Sequence, residues 1–497
     1  MPLRLSELAR LIPGSRLLGV ADPVIEGVTS SSGEVETGFL FVAVRGFKMD
    51  GHQFIPDARE RGAIALAGAD EQLLQGVDGS LGRLVVPDDR RALAMAADAV
   101  YGHPSHAIKL VGVTGTNGKT TTVTLVAAIL EAACIPCATL GTLGLTVHGK
   151  TVAGDRTTPE APNIQRTILR LKGEGIGAVA MEVASHALDL DRTLGCAFDV
   201  GVFTNLTQDH LDYHPSMEAY FEAKKKLFME YPDASPKPFT AVINGDDPYG
   251  ARLAAEVSTP VITFGTGEGN TLRAEEIMVT PTSIRFTAHT GELTLPIMAP
   301  LGAYFNVYNT LGAVGVGLAF GISPESIQKG LQNVQPVAGR FEAVECGQPF
   351  TVIVDYAHSP DGLSNVLRSA RAITRNRLQV VFGCGGTRDR GKRPLMGGIA
   401  AELADAVIVT SDNPRDENPA AIISEIVAGI TAKSPLQVSV VEDRREAIQQ
   451  ALQNAEEGDV VVIAGKGHEN YQIFADRTIH FDDRETVREL LQSLTLS

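Results

Sequence analysis

The stretch GVTGTNGKTTT, residues 112–122, decides how this chain is read. It follows an apolar run, IKLVGVTG, that reads as a strand, and it opens KTTTVTLVAAILEAA, which reads as a helix. A glycine-rich turn before a helix can be mere punctuation. Between a strand and a helix it has the setting of a phosphate-binding loop, in which glycines let backbone N–H groups approach an anion and the helix N-terminus favours negative charge. Lys119 would reach the terminal phosphates and Thr120 would offer its hydroxyl to Mg²⁺. The strict GxxxxGK[ST] pattern fails at one position, where Val113 replaces the first glycine. Gly115, Thr116, Asn117, Gly118, Lys119, Thr120 and Thr121 are the expected nucleotide-binding residues.

Around this loop strands and helices alternate. GAVAMEVAS, FDVGVFTNL and TAVING read as strands and SMEAYFEAKKKLFME as a helix, so a mostly parallel sheet covered by helices is expected. A β-rich stretch follows, from about Leu272 to Ile297. The helices YNTLGAVGVGLAF and SPESIQKGLQNV close the region, with Ser323 as N-cap and Pro324 at the first helical position. Upstream, short strand-like runs and a helix, RRALAMAADAVYG, end at HPSH. Downstream of PVAGRFE the alternation restarts through TVIVDYA, a helix after SPDG, LQVVFGC, PLMGGIAAELAD, AVIVTSD and DVVVIAGKG. The expected fold class is α/β in three domains. These are a small N-terminal α/β domain over residues 1–100, a central P-loop ATPase over 101–338 and a second open α/β domain over 339–497.

Length and composition agree. A chain of 497 residues suggests three domains at roughly 150 residues each, and 44% hydrophobic against 21% charged residues is the balance of a globular protein with a core. A net charge of −16 argues against nucleic acid as the main partner, since phosphate backbones want a basic face. Five cysteines in so long a chain fit a reducing cytoplasm better than a disulfide framework. Cys134 and Cys137 form a single CxxC, read as small buried residues leading into a strand. No apolar run approaches about 18 residues, so no membrane span is expected, and the first residues lack the apolar core of a signal peptide.

Further motifs carry a resemblance. GTNGKTT resembles the ATP loop of the Mur ligases and their relatives, the folylpolyglutamate synthases. TTPE at Thr157, MEVASHAL at Met181, TNLTQDHLDYH at Thr204, YFEAKKKLF at Tyr220, FNVYNTLGA at Phe305, GRFE at Gly339, VDYAHSPDGL at Val354 and GCGGTRDRGKRPLM at Gly383 stand in family order. The likeness covers nearly the whole chain. It implies a domain for a UDP-sugar peptide, an ATPase core and a Rossmann-like domain for an incoming amino acid. The activity implied is ATP-dependent amide ligation, in which a carboxylate attacks the γ-phosphate and an amine then attacks the acyl phosphate.

The resemblance also assigns roles. Glu182 ends an apolar strand, and His210 lies in a loop; with Thr120 they are implied to hold Mg²⁺. AKKKLF read alone is a solvated charge run, but the family places on Lys224 a CO₂-derived carbamate, N6-carboxylysine, which would support a second Mg²⁺. That chemistry needs a neutral amine, hence burial or nearby cations. Asn306 and Asn309 share a helix face, and helix-interior Asn wants a partner. Asn309 is implied at the adenine, with Arg340, Asp355 and His358 reaching ATP from beyond the linker.

For the UDP-sugar peptide, the resemblance implies Thr157, Thr158, Ala184 and Arg192, the last otherwise a surface partner for Asp189 or Asp191. Many relatives have Ser where Ala184 stands, and Asp-Ser-Arg where this chain has SSG, residues 31–33. Ser32 would keep the uridine-side contact, joined by Arg45, Gly46 and Phe47.

TSDNPRDENP, residues 410–419, names the amino acid. Diaminopimelate ends in a zwitterionic head, which wants an Arg fork for its carboxylate and acceptors for its ammonium. DNPR matches the diaminopimelate-adding branch, and Asp412, Asn413, Pro414, Arg415, Arg388, Gly465 and Glu469 are the implied contacts. Asp416 and Glu417 read as solvated. The expected reaction joins meso-diaminopimelate to UDP-N-acetylmuramoyl-L-Ala-D-Glu with ATP and Mg²⁺, in a monomer making cell-wall precursor in the cytoplasm. Rival readings are the lysine-adding enzyme, opposed by Arg415; folylpolyglutamate synthase, opposed by the full first domain; and a nucleotide switch, opposed by the second complete α/β domain.

Overall fold

The structure, a computed structural model, describes residues 3–46, 49–430 and 436–495. The phosphate-loop strand, Lys109–Thr114, lies inside an eleven-stranded sheet. Ala178–Glu182 and Val200–Phe203 pair with it in parallel on opposite sides. The connection from its carboxyl end runs one way, to Cys137–Gly141, and that from Ala178–Glu182 runs the other, to Val200–Phe203; such a reversal is where open α/β sheets form a ligand crevice. Thr240–Asn244 and Val261–Gly265 continue the parallel core. The β-rich stretch is three strands, Leu272–Val279, Ile284–Thr290 and Leu293–Ala299, which pair antiparallel with one another and extend one edge.

Both faces of the sheet are covered, as its apolar strands require. On one face Val111, Val113, Val200 and Val202 pack with Val126 and Leu130 of helix Lys119–Ala132 and Leu311 and Val314 of helix Phe305–Ala319. On the other, Leu110, Val179 and Phe203 pack with Ile164 and Ile168 of helix Ala161–Gly173 and Tyr220 and Leu227 of helix Met217–Ala234. The period of two along each strand sorts its residues between these cores.

Two smaller sheets flank it. The N-terminal one has five strands in the order Arg16–Leu17, Gly82–Val85, Ala65–Gly68, Phe39–Val42, Gly27–Thr29, the last four parallel. The C-terminal one has six, with Val460–Ala464 between Thr351–Asp355 and Leu378–Phe382, followed by Ala406–Val409 and Gln437–Val440. Only Glu342–Val344, at its edge, runs antiparallel.

Several local expectations hold and one shifts. Ser323 caps helix Pro324–Gln332 by accepting the Ser326 N–H. Cys137 opens strand Cys137–Gly141, and all five cysteines are free. The helix expected after SPDG instead starts inside it, at Pro360, because Ser359 accepts the Gly362 N–H and Pro is pre-set for the first helical position.

Candidate active site

A cavity of about 790 Å³ opens at the carboxyl end of the central strands. Residues 116–121 of the phosphate loop, Glu182, His210 and Asn309 line one wall; Arg340, Asp355, Tyr356 and His358 line another. Two glycines shape the loop. Gly115 (φ +143°) and Gly118 (φ +85°) lie where L side chains are strained. A Cβ at Gly118 would stand 2.1 Å from Asn309 Oδ1, and one at Gly115 would stand 1.9 Å from Thr204 Oγ1. The loop is held from below: the amides of Thr116 and Asn117 donate to the carbonyl and side-chain oxygens of Asn205. The partner expected for Asn309 is Asn306, which accepts from its amide at 2.8 Å and itself donates to Gly302 O.

Glu182 is buried rather than solvent-facing. Its carboxylate accepts the Thr120 hydroxyl (2.9 Å), the Thr142 N–H (2.8 Å) and the Thr142 hydroxyl (3.1 Å). This buried carboxylate with flanking hydroxyls is a hard-oxygen set suited to Mg²⁺. Arg340 reaches across from the C-terminal side and donates to Thr120 Oγ1 at 3.1 Å while stacking over Tyr356. His210, at φ +54°, lies on the same cavity wall with Nε2 3.5 Å from Asp209. Enclosure, with His186, Lys119 and Lys224 nearby, holds its imidazole below the usual range against the pull of Asp209.

Two lysines converge on one carbonyl. Lys119 Nζ donates to Gly115 O (3.0 Å) and Thr116 O (2.8 Å), and Lys224 Nζ donates to Gly115 O at 2.8 Å. Lys224 is buried over the Tyr220 ring, far from the solvated run that AKKKLF suggests when read alone. Burial, and then Lys119, push its ammonium well below the ordinary value. It does not line the cavity; the Gly115 carbonyl stands against it. Asp355 accepts the Phe341 and Ala357 N–H groups, and burial raises its carboxyl to about 6.

Thr157 and Ala184 line the cavity; Thr158 and Arg192 stand behind it. The Thr158 hydroxyl donates to Glu182 O and accepts the Ala184 N–H, so it props the strand end. Arg192 pairs with Glu160 (3.1 Å), not with Asp189 or Asp191, because Asp191 faces Arg91 and Asp189 accepts Tyr213. Ser32, Arg45 and Gly46 belong to the N-terminal sheet's loops, outside this cavity; Arg45 faces Asp50 and Asp70. Phe47 lies outside the described residues.

The turn at residues 412–415 gathers a cluster of charged side chains at the carboxyl ends of the C-terminal strands. Arg415 sits at φ +53°, pinned by its N–H to Ile473 O, and its guanidinium donates to Gly386 O at 2.9 Å. Gly385 separates it from Arg388: a Cβ there would stand 2.8 Å from Arg415 Nη1 and 3.9 Å from Arg388 Cγ. Asn413 donates to Glu469 (2.9 Å), and Gly465 (φ +116°) leaves room for Asp412. Glu417 is not merely solvated. It accepts both terminal nitrogens of the buried Arg393 and the Thr387 N–H, which lowers its carboxyl to about 2 and fixes the loop carrying Arg388.

The sequence matches the Mur ligase family catalytic domain over residues 24–101, the Mur ligase middle domain over 113–317 and the Mur ligase glutamate ligase domain over 339–467. The chain belongs to the Mur ligase family. It is 46% identical to UDP-N-acetylmuramoyl-L-alanyl-D-glutamate--2,6-diaminopimelate ligase of Geobacter metallireducens, covering 99% of both chains. It is 45% identical to the protein of the same name from Geobacillus thermodenitrificans, over 98% of this chain and 99% of that one. A solved structure of a ligase of that name superposes with a TM-score of 0.71 at 30% identity, over the whole of both chains.

Some site residues of this Mur ligase escaped the sequence reading. Asp361, in the first turn of helix Pro360–Ile373, accepts on one oxygen from Asn117 (2.7 Å), Thr207 (2.8 Å) and Asn365 (2.9 Å). The first two donors come from the phosphate loop and the strand-end segment beside it, so this carboxylate clasps the two sheets together. Lys466, fully buried, faces Asn413, Glu469 and Asp412. Both lie inside stretches already singled out, VDYAHSPDGL and DVVVIAGKG, but their partners are distant in sequence.

Proposed function

We propose that this chain is an ATP-dependent amide ligase that joins meso-diaminopimelate to the γ-carboxylate of UDP-N-acetylmuramoyl-L-Ala-D-Glu, a cytoplasmic step of peptidoglycan synthesis. The observation that carries the reading is the cluster at the 412–415 turn: Arg415 and Arg388 flank Gly385, while Asp412 lies against Gly465 and Glu469 against Asn413, cations and carboxylates suited to the two charges of one ligand head. Full-length relatives of that name support it.

The ligase needs cations at the phosphates and an unprotonated amine. Lys119 and Arg340 offset the like charge as the D-Glu carboxylate attacks the γ-phosphorus and ADP leaves. The amine of diaminopimelate then adds to the acyl phosphate carbonyl, and the tetrahedral intermediate expels phosphate. Thr120, Glu182 and His210 would hold Mg²⁺, which supplies charge neutralisation at the phosphates. Lys224, whose ammonium form burial and Lys119 disfavour, would take up CO₂ as a carbamate with release of a proton. Asn309 would meet the adenine. Thr157, Ala184 and Arg192 would serve the peptide, and Ser32, Arg45, Gly46 and Phe47 the uridine diphosphate.

Release of ADP tests the reading. It is expected only with Mg²⁺, the UDP-dipeptide and a diamino acid together, with meso-diaminopimelate preferred in a panel. Equal turnover of L-lysine sinks the amino-acid assignment; hydrolysis without either acceptor sinks the ligase.

A further inference from the structure

The amino-acid pocket contains a charge that the carboxylate fork and the ammonium acceptors do not account for. Lys466 follows strand Val460–Ala464, and no part of its side chain reaches solvent. Its Nζ donates to Asn413 Oδ1 at 3.2 Å and lies 3.5 Å from Glu469 Oε2 and 3.6 Å from Asp412 Oδ1. Asp412 Oδ1 is itself buried and has no hydrogen-bond partner among the described residues. Burial raises the Glu469 carboxyl, and Lys466 pulls it back. Beneath the pocket Arg444 and Asp483 are closed on each other by two bonds, 2.7 and 2.8 Å, and add no net charge.

The balance is then simple. Asp412 and Glu469 oppose Arg415 and Arg388, and these four sum to zero. Among these five groups Lys466 is the unmatched charge, and it is positive. Sealed from water, this charge is poorly screened and acts on whatever enters. A zwitterionic head is neutral and meets this excess without a net penalty. A head ending in a bare ammonium adds a like charge; a head ending in a bare carboxylate relieves one.

Building on the ligase reading above, we propose that Lys466 is a specificity-determining residue, which rejects amino acids ending in a bare ammonium by charge rather than by shape. A structural prop for the turn at residues 412–415 would affect all amino acids alike. An electrostatic selector changes their ranking.

The test compares kcat/KM for meso-diaminopimelate, 2-aminopimelate, which lacks the distal ammonium, and L-lysine, which lacks the distal carboxylate. Wild type is expected to rank them in that order. Lys466→Met and Lys466→Gln should each lower the ratio of 2-aminopimelate to L-lysine by about tenfold or more, with the KM for ATP unmoved. Gln can still donate to Asn413, so a wild-type ratio in either variant, with all three amino acids weakened alike or not at all, would overturn the proposal. If neither variant folds, the wild-type ranking decides, and L-lysine matching or exceeding 2-aminopimelate overturns it. Failure of wild type to use meso-diaminopimelate at all is a different result, which removes the ligase reading itself.

Discussion

Asp361→Ala removes the carboxylate that joins the phosphate loop to the C-terminal sheet. Three donors lose their acceptor: Asn117, Thr207 and Asn365. Asn365 belongs to the same helix as Asp361 and contributes nothing across the interface. The other two bonds cross it, at 2.7 and 2.8 Å. A hydrogen bond to a charged group contributes about 1.5–3 kcal/mol, so two give about 3 kcal/mol at the low end. These atoms are only part-buried, and water can replace the lost acceptor, which reduces the figure to about 2 kcal/mol. The closed arrangement should therefore lose roughly 30-fold against open ones. Steady-state kinetics should show kcat/KM for ATP falling by about that factor, and small-angle scattering should show a larger radius of gyration in the variant. A kcat/KM within about twofold of wild type, with unchanged scattering, would refute the clasp.

Three further outcomes follow from the geometry. Gly118→Ala forces a side chain into a φ of +85° and against Asn309 Oδ1; at about 1–2 kcal/mol for the backbone alone, calorimetry should show ADP binding weakened roughly tenfold or more. Lys224 is depressed when folded, so between that value and 10.5 the unfolded chain binds the extra proton and the wild type gains stability as pH rises. Lys224→Met lacks that gain, and its stability relative to wild type should fall as pH rises toward about 10 in urea melts; a constant gap contradicts the depressed amine. Arg415→Lys cannot form a planar fork, and the KM for diaminopimelate should rise roughly tenfold or more while that for ATP stays put; parallel rises in both would remove Arg415 from the amino-acid pocket.

What the sequence makes legible is what its local patterns carry. The strand, loop and helix around Lys119 are read from adjacent residues, and so are the cap at Ser323 and the strand end at Glu182. The gathering of Arg340 with Thr120 rests on family motifs, not on spacing. Partners far apart in the chain are where pattern fails. Glu417 reads as a solvated acid because nothing near it shows that Arg393 is buried beneath. Arg192 sits two residues from one aspartate's neighbour and beside another, yet its partner, Glu160, belongs to the loop before a different helix. Asp361 looks like a first-turn acid complementing a helix dipole, and only the folded chain brings Asn117 and Thr207 to it. Burial of Lys224 likewise depends on a helix docking under a loop more than a hundred positions away.

The attachment of Arg340 has a consequence for timing. Gly339 touches the backbone of residues 467–468 so closely that a Cβ would stand 2.1 Å from both Gly467 C and His468 N, and its carbonyl accepts the Tyr356 N–H. Asp355 grips the Phe341 N–H. Arg340 is thus welded to the C-terminal sheet, although its guanidinium reaches Thr120 of the central one. The arginine cannot arrive before its sheet does. On the proposed ligase reading, this would make the phosphate site a coincidence detector, complete only when the body bearing the incoming amine is in place, and would keep a costly mixed anhydride from being made with nothing to receive it.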